Sequence, residues 1–422
     1  MAYMKVDSTK LNAGLTSVSD SIRTKAGTSD KLAFPAGMKE AVDNLNTFVP
    51  PSSMALDPDE VYRTTRPKDW LPMPTPGDDE VYLLNLIPEG LDGAFTAQIS
   101  FTGTCTVEFG NLVDGVFVAK ETVTPTSGTR FFHTVYWDDY GDETSDGYRQ
   151  YLVRIKGSSV SKLEPNPKDV ASWAYGAYHL VDAVVGMKTN FIPGGSEITY
   201  LTNKHLRYVR FVGNGQLYGV EGSNFRGCES LLSVSAEKQS TGSSMYYFFS
   251  YCSSLIALSK NIFITNVNCD SLFRAYGRFP YVDGLSIYPT SCVYLLSESK
   301  GNTTFYGKQI NTRNCQDFTR SFAGSAITNV LDLDISSMAI CTNMLANTRL
   351  YRFTFAGETT PGGWTIDCSS CVMSHKALVN MINSLPTALS PATITITNNP
   401  GASALTDEEI AVATARNWTV TI

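Results

Sequence analysis

Seven cysteines in the second half of the chain recur at nearly constant intervals. The spacing between neighbours averages about 23 residues, and the positions are Cys228, Cys252, Cys269, Cys292, Cys315, Cys341 and Cys368. Two of them have similar surroundings, FRGCESLLSV at 225–234 and FSYCSSLIAL at 249–258. A fixed period of about 20–29 residues indicates units that stack because none of them can bury its apolar side alone. The chain is therefore expected to contain a repeat architecture.

Each repeat joins an irregular turn to an alternating stretch that is typical of a strand. In ITNVLDLDI at 327–335, the apolar face is contributed by Ile327, Val330, Leu331, Leu333 and Ile335. One strand and one turn per repeat predict a leucine-rich-repeat solenoid over 166–367. The repeat at 292–314 is the least regular.

The cysteines themselves have three possible roles, as metal ligands, disulfides or core residues. No signal peptide is evident, which disfavours disulfides. Only Cys368 and Cys371 form a CxxC pair, with His375 four residues on, so zinc is a minor alternative. Five of the other cysteines fall in two registers, which differ in the residues that follow the cysteine. Cys228 and Cys252 belong to the first register, and Cys269, Cys315 and Cys341 belong to the second. Small, reduced thiols suit a tight inner turn, so we predict core positions and no cofactor.

Two further regions precede the repeats. Residues 1–48 read as two short amphipathic helices, too short to be stable alone, which we expect to pack on partner chains. Residues 49–79 hold seven of the 19 prolines and predict a stiff connector without its own core. Within it, Trp70 and Leu71 are expected to dock on a neighbouring surface.

The regions on either side of the repeats have clear periodicity. Residues 80–165 contain short β-branched or aromatic segments separated by Gly, Asp and Ser, which predicts an antiparallel β-sandwich. In residues 368–422, SHKALVNMINSL and LTDEEIAVATARN predict helices, and TITIT and NWTVTI predict strands. A solenoid needs a unit that closes its open end, and this segment is expected to supply it.

Composition excludes several functional classes. The net charge of −7 and the absence of basic runs argue against nucleic-acid binding. No run of about 18 apolar residues occurs, so we expect no membrane insertion. Since no signal peptide is evident, we expect the chain to be synthesised in a cytoplasm. Metalloprotease, serine-hydrolase and nucleotide-binding motifs do not occur, so the chain is not expected to be an enzyme.

Two kinds of binding site remain open at this level. The acidic loop WDDYGDETSDG could bind calcium through Asp138, Asp142 and Asp146, although an acidic turn between strands is the more ordinary explanation. Exposed aromatic rings can bind the apolar faces of sugars. The candidates for receptor contact are Trp173, Tyr246, Tyr247 and Tyr251, whereas Phe248 and Phe249 are expected in the core.

Three stretches resemble known proteins. SDSIRTKAGTSDKLAFPAGMKEAV (19–42) resembles the N-terminal segment of tail-fibre-like and baseplate proteins from phages of Gram-positive, Firmicutes-type hosts. VYRTTRPKDWLPMPTPGDDEVYLL (61–84) is similar to the central module of the same proteins. The FxxCxSLxxL repeats and LTDEEIAVATARNWTVTI (405–422) resemble the BspA-like leucine-rich repeat family. The three together, in this order, are more specific than any one of them.

The resemblance implies a multidomain, mainly β virion structural protein that mediates host attachment without catalysis. It also implies a homotrimer, contacts to other tail or baseplate proteins through residues 1–48, and a cell-surface glycan or protein as receptor. The expected segments are the helical anchor (1–48), the proline-rich connector (49–79), the β-sandwich (80–165), the leucine-rich-repeat solenoid (166–367) and its α/β cap (368–422). The alternatives are a bacterial surface adhesin with the same repeats and a polysaccharide-degrading tail spike.

Overall fold

The protein is mainly β, with several sheets and three α-helices in the part of the chain that the structure describes. The computed structural model describes residues 55–89, 93–165, 179–194, 203–219, 222–275, 280–282, 284–285, 287–300, 304–369 and 371–422. Residues 55–422 form one compact unit. The predicted helical anchor at 1–48 lies outside the described residues.

The six strands expected between residues 80 and 165 are all present. They are β1 (Glu80–Ile87), β2 (Gly93–Phe101), β3 (Cys105–Val113), β4 (Val116–Val123), β5 (Arg130–Val135) and β6 (Arg149–Gly157), and β7 (Val160–Glu164) is an additional one. One sheet contains the order β1-β6-β3-β4 and a second contains β7-β2-β5, with antiparallel pairing throughout. The sheets face each other, because the ring of Phe95 on β2 lies 5.6 Å from that of Phe109 on β3.

Both sheets continue into the repeat region through parallel strands. The strands are β8 (His179–Val185), β9 (Lys188–Phe191), β10 (Tyr208–Phe211), β11 (Gln216–Gly219), β12 (Ser233–Ala236), β13 (Thr241–Gly242) and β14 (Ala257–Leu258). β8 pairs antiparallel with β1 and parallel with β10, which extends the first sheet to β12 and β14. β7 pairs parallel with β9, which extends the second sheet to β11 and β13. The expected boundary between residues 165 and 166 therefore lies within sheets that run across it.

Later repeats add a separate sheet that is also parallel. β15 (Thr304–Tyr306), β16 (Asn329–Asp334) and β17 (Arg352–Ala356) form a three-stranded sheet. A register shift between Val330 and Leu333 interrupts β16, and Asp332 within it has a φ of 58°. Leu331 consequently lies half-buried, whereas the other four apolar residues predicted for this face are buried.

The apolar core runs without a break from β1 to the last strand. Part of it is a stack of aromatic rings, in which Phe249 lies parallel to Phe225 at 5.3 Å and to Phe273 at 5.6 Å. Phe248 and Phe249 are fully buried, which confirms the prediction for both. Because equivalent residues of successive repeats stack directly on each other, one side-chain type at one repeat position builds a continuous column.

All nine cysteines are buried free thiols, as the repeat pattern predicts. The thiol of Cys252, for example, donates to the carbonyl of Phe225 at 3.0 Å. The second predicted register needs a correction. Backbone hydrogen bonds between repeats make Cys269 equivalent to Cys292 and Cys341, whereas Cys315 lies three residues before its repeat's equivalent position.

The predicted connector contains a helix and lies against the first sheet. Helix α1 (Pro58–Thr65) begins after Asp57, whose side chain accepts from the Asp59 amide, and it lies over β12 and β14. We call residues 57–73 the strap. Trp70 is buried on the outer side of the sheet among Leu84, Leu86, Leu152, Val181 and Tyr208, and Leu71 packs beside it. The expected docking of Trp70 and Leu71 is confirmed, and it explains why both faces of β1 are buried.

One buried ion pair fixes the strap to the repeat strands. Asp182 on β8 has no exposed side-chain area, and its Oδ2 atom accepts from Arg66 Nε at 2.7 Å and from the Tyr62 hydroxyl at 3.1 Å. The Arg210 guanidinium lies 3.9 Å from the centre of the Tyr62 ring. The strap therefore contacts strands from both parts of the first sheet.

Two strands, β18 (Thr359–Gly362) and β19 (Thr365–Asp367), precede the C-terminal segment. The segment has the four predicted elements, which are α2 (His375–Ser384), β21 (Ala392–Thr395), α3 (Asp407–Thr414) and β22 (Trp418–Thr421), and β20 (Thr387–Ser390) is an additional one. The predicted inward face of α2 is buried, namely Leu378, Met381 and Ile382, with Leu385 just after the helix. Thr406 and Glu409 form a reciprocal capping box at α3. Trp418 is buried, and its indole N–H donates to the Pro386 carbonyl at 2.7 Å.

Candidate functional site: an arginine–tyrosine ladder

Turn segments of successive repeats stack in register, and five consecutive ones form the site. They are 223–226, 247–250, 271–274, 294–297 and 320–323, and the first residue of each has a positive φ between 53° and 59°. A sixth segment, 343–346, continues the stack, since the Arg320 amide donates to the Thr342 carbonyl at 3.0 Å. The amide of that residue donates to a carbonyl of the next segment, for example Tyr247 to Asp270 at 3.0 Å and Ser271 to Val293 at 2.8 Å. Successive segments are thus joined by hydrogen bonds like those between β-strands, which places them about 4.8 Å apart.

Large and small residues alternate on the outer side of this stack. The first positions of the five segments are Ser223, Tyr247, Ser271, Tyr294 and Arg320, and the fourth positions are Arg226, Ser250, Arg274, Ser297 and Ala323. Every segment therefore carries one large side chain and one small one. In the first four segments, the large side chain alternates between the fourth and the first position. Since the small residues leave space, each large side chain can lean over the segment beside it.

The large side chains form one continuous series of contacts, which we call the arginine–tyrosine ladder (Arg226, Tyr247, Arg274, Tyr294 and Arg320). The guanidinium carbon of Arg226 lies 4.2 Å from the centre of the Tyr247 ring, and that of Arg274 lies 4.5 Å from the Tyr294 ring. Arg274 also donates to the Tyr247 hydroxyl at 3.4 Å, and Arg320 donates to the Tyr294 hydroxyl at 3.2 Å. Cations over aromatic faces and donors at phenol oxygens attract each other, so the ladder holds a fixed geometry.

The ladder is partly open to solvent. The side chain of Arg274 is 26% exposed, Arg320 is exposed, and the other three members are half-buried. Tyr246 stands beside the ladder with 41% exposure, and its ring meets that of Tyr247 edge-on at 4.3 Å. Glu298 is the nearest acidic partner, with its carboxylate 4.0 Å from Arg274 Nε. The strip therefore combines aromatic faces with cationic groups.

The electrostatics of the two adjacent tyrosines differ. Burial raises the pKa of Tyr246, and its hydrogen bond with Tyr247 raises it further. Burial also acts to raise the pKa of Tyr247, but the hydrogen bonds from Tyr246 and Ser271 and the charge of Arg274 together lower it.

The structure places three of the four predicted receptor-contact residues at this strip. Tyr246 is exposed, Tyr247 is a member of the ladder, and Tyr251 is half-buried at the end of the same turn, with a φ of 64°. Trp173 lies outside the described residues. Sequence reasoning missed Tyr294 and the three arginines. Aligning the repeats on their paired aromatic positions, rather than on cysteines, would have put these residues in two columns.

The two metal-site alternatives have other partners for their side chains. Asp138 lies 3.5 Å from Arg149, and Asp142 accepts from Asn111. His375 Nε2 lies 2.9 Å from Glu409 Oε2, and the thiol of Cys371 donates to a backbone carbonyl. Among the described residues, no three His, Cys, Asp or Glu side chains are grouped as metal ligands would be.

A cleft of about 450 Å³ lies where the antiparallel strands meet the repeats. It is lined by Asp78, Gly157, Ser158, Ser159, Val160, Ser161, Met187, Lys188, Thr189, Asn214 and Tyr218. The Lys188 ammonium lies 5.4 Å from the centre of the Tyr218 ring, which is 39% exposed. The cleft is open and is lined by both polar and apolar groups, and it offers a second place where a small ligand could be held.

Comparison with known proteins adds no family. Scans against protein-family models, curated proteins and solved structures find no match for this chain. In the described part of the chain, no helix has both the length and the apolar character required to cross a membrane.

Proposed function

We propose that this chain is a phage tail-fibre or baseplate-associated structural protein that attaches the virion to the host cell surface without catalysis. In this proposal, residues 80–165 form a β-sandwich, and residues 166–367 form a leucine-rich-repeat solenoid closed by residues 368–422. The location is the virion tail, after assembly in the host cytoplasm. The sequence resemblance over residues 19–42, 61–84 and 405–422 supports this assignment.

The single observation that carries the adhesive role is the arginine–tyrosine ladder. It spans five repeats and presents aromatic faces and cations along one line. Core packing does not require large, charged side chains on the outside of a turn, where the alternating serines would suffice. An extended strip of this kind fits an extended ligand, because every second repeat presents the same type of side chain further along the line.

The remaining parts of the proposal concern assembly. Residues 1–48 would join other tail or baseplate proteins, and the chain would form a homotrimer by analogy with other tail fibres. One contact between a tyrosine and a sugar is weak, so several copies on one particle would raise the avidity without any new contact. The strap, which contacts both parts of the first sheet, would transmit load from residues 1–48 to the repeats.

The test uses the full chain, because β8 pairs with β1 and a fragment starting at residue 166 would break the first sheet. The labelled protein is displayed on beads and incubated with a panel of Gram-positive cells. We expect binding to some strains, and a loss of at least ten-fold when Tyr247 and Tyr294 are both changed to Ser. Tyr351→Ser is the matched control, because Tyr351 is a 57% exposed tyrosine outside the ladder.

Other outcomes locate the activity elsewhere. Loss of binding in Tyr218→Ser, with the ladder variant unaffected, would place the receptor in the cleft and contradict the ladder. Binding to no strain in the panel would contradict the adhesive role. Release of oligosaccharides from wall or capsule fractions during the incubation would favour a polysaccharide-degrading tail spike.

A further inference from the structure

We propose that the arginine–tyrosine ladder binds a linear acidic glycan that lies along the stack axis, with one anionic group for every two repeats. This inference rests on the proposed adhesive function and adds the chemical class and the orientation of the ligand. Phosphate and carboxylate share the chemistry that a guanidinium recognises, so either could supply the anion.

The spacing of the arginines argues for a polymer with a regular charge. Arg226, Arg274 and Arg320 belong to the first, third and fifth segments, so neighbours are two segments apart. With about 4.8 Å for each hydrogen-bonded step, the backbone segments that carry neighbouring arginines lie about 10 Å apart along the stack. A compact anion could engage only one of these arginines. A polymer with regularly placed acidic groups could engage all three.

The charge balance of the strip favours an anion over a neutral ligand. The ladder carries three arginines, and the Glu298 carboxylate lies 4.0 Å from Nε of one of them, Arg274. Of the acidic residues on the same turns, Glu229 pairs with Lys204, whereas Asp270 accepts from the Ser291 hydroxyl and the Val293 amide and keeps its negative charge near Tyr246. The whole chain is acidic, with a net charge of −7, so this strip is opposite in sign to the molecule that carries it.

The tyrosines between the arginines argue for a glycan rather than another polyanion. Tyr247 and Tyr294 fill the second and fourth segments, between the arginines, and Tyr246 adds an exposed ring next to the second. Aromatic rings attract the apolar C–H faces of pyranose rings, and the phenol oxygens can exchange hydrogen bonds with sugar hydroxyls. Anion-binding and sugar-binding groups therefore alternate along one line, in the order in which acidic groups and sugar rings would follow each other along an acidic polysaccharide.

The experiment measures binding of the full chain to immobilised polymers. The probes are poly(glycerol phosphate), polygalacturonate, uncharged dextran and duplex DNA, each at low and at physiological salt. We expect poly(glycerol phosphate), polygalacturonate or both to bind at least ten-fold more tightly than dextran. This affinity should fall as salt rises, because the contacts are ionic. The phosphate and carboxylate probes distinguish the two sources of the anion.

Variants test whether the ladder is the site. Arg274→Gln should weaken binding of the preferred acidic polymer about ten-fold or more, since it removes the central guanidinium. Arg313→Gln, at an exposed position outside the ladder, should leave the affinity within two-fold. Both variants are compared with the parent protein by circular dichroism and thermal melting. If Arg274→Gln does not fold like the parent, Arg320→Gln, at the exposed end of the ladder, replaces it.

The outcomes separate this inference from the proposed function. If cells are bound but no acidic polymer binds or competes, the inference is wrong and adhesion stands. Equal affinity for DNA and the acidic glycans would show a general polyanion surface and contradict glycan recognition. Equal losses in Arg274→Gln and Arg313→Gln would overturn the ladder as the site. Absence of cell binding together with tight glycan binding would retain the inference and overturn the adhesive role.

Discussion

The buried ion pair between the strap and β8 gives a sharp test of how this chain is held together. Arg66 is 11% exposed, and besides Asp182 it donates to the carbonyl oxygens of Trp70 at 3.3 Å and Leu71 at 2.5 Å. Changing Arg66 to Met leaves the Asp182 carboxylate buried with the Tyr62 hydroxyl as its remaining hydrogen-bond donor. Removing one partner of a buried pair costs about 3–5 kcal/mol. We therefore expect the free energy of unfolding to fall by that amount.

The same helix supplies a matched control. Arg63 pairs with Glu60, but their side chains are 72% and 49% exposed. Exposed pairs contribute about 0–1 kcal/mol, so Arg63→Met should change stability by less than about 0.5 kcal/mol. Urea unfolding followed by tryptophan fluorescence measures both variants, since Trp70 reports the strap directly. Equal effects of the two substitutions would refute the argument from burial.

A double variant and a pH series separate the charge from the shape. Replacing both partners, Arg66→Met with Asp182→Leu, should recover at least about 2 kcal/mol of the loss, because the buried carboxylate is removed together with the guanidinium that pairs with it. Burial raises the pKa of Asp182 even beside Arg66, and loss of the arginine should raise it further. A raised pKa in the folded state lets the folded protein take up the proton first as pH falls. The deficit of Arg66→Met should therefore shrink from pH 7 towards pH 5, and a constant deficit would contradict the ionic mechanism.

Three further predictions follow from single positions. Cys252→Asp should destabilise the protein by about 3–5 kcal/mol in urea unfolding, because it buries a charge beside the Phe225 carbonyl; an effect below 1 kcal/mol would contradict the core position. Burial, and then His205, lowers the pKa of His179 to about 4, so the unfolded chain binds the proton first as pH falls from about 6.5. His179→Gln should therefore reduce the loss of stability between pH 6.5 and pH 4 by about 2 kcal/mol. Parallel pH profiles of the variant and the parent protein would refute this. Thr406→Ala removes the capping box of α3 and should cost about 1 kcal/mol, whereas Thr406→Ser should restore most of it.

Local periodicity was sufficient for most elements of the fold. The six strands between residues 80 and 165 and both helices after residue 374 lie where the pattern placed them. The cysteines are buried, as their small size and regular spacing indicate. These predictions succeeded because each depends on neighbours within one strand, one helix turn or one repeat.

Contacts between distant segments could not be read in this way. The proline-rich composition of residues 49–79 predicted a connector without a core. In the structure, α1 and Trp70 pack on the first sheet. Composition alone could not identify the surface that they contact. Likewise, Asp182 reads as an isolated acid within an apolar strand. It becomes the partner of Arg66 only when the strap is folded across β8.

The sequence by itself determined the type and order of the elements, because apolar period and turn residues are local properties of the chain. Only the tertiary structure decided that β8 extends the antiparallel sheet and that Arg226, Tyr247, Arg274, Tyr294 and Arg320 meet in one ladder. Neighbours in the ladder are 20 to 27 residues apart in sequence. Stacking of the repeats brings them together, since hydrogen bonds between successive turns set which residues share a column.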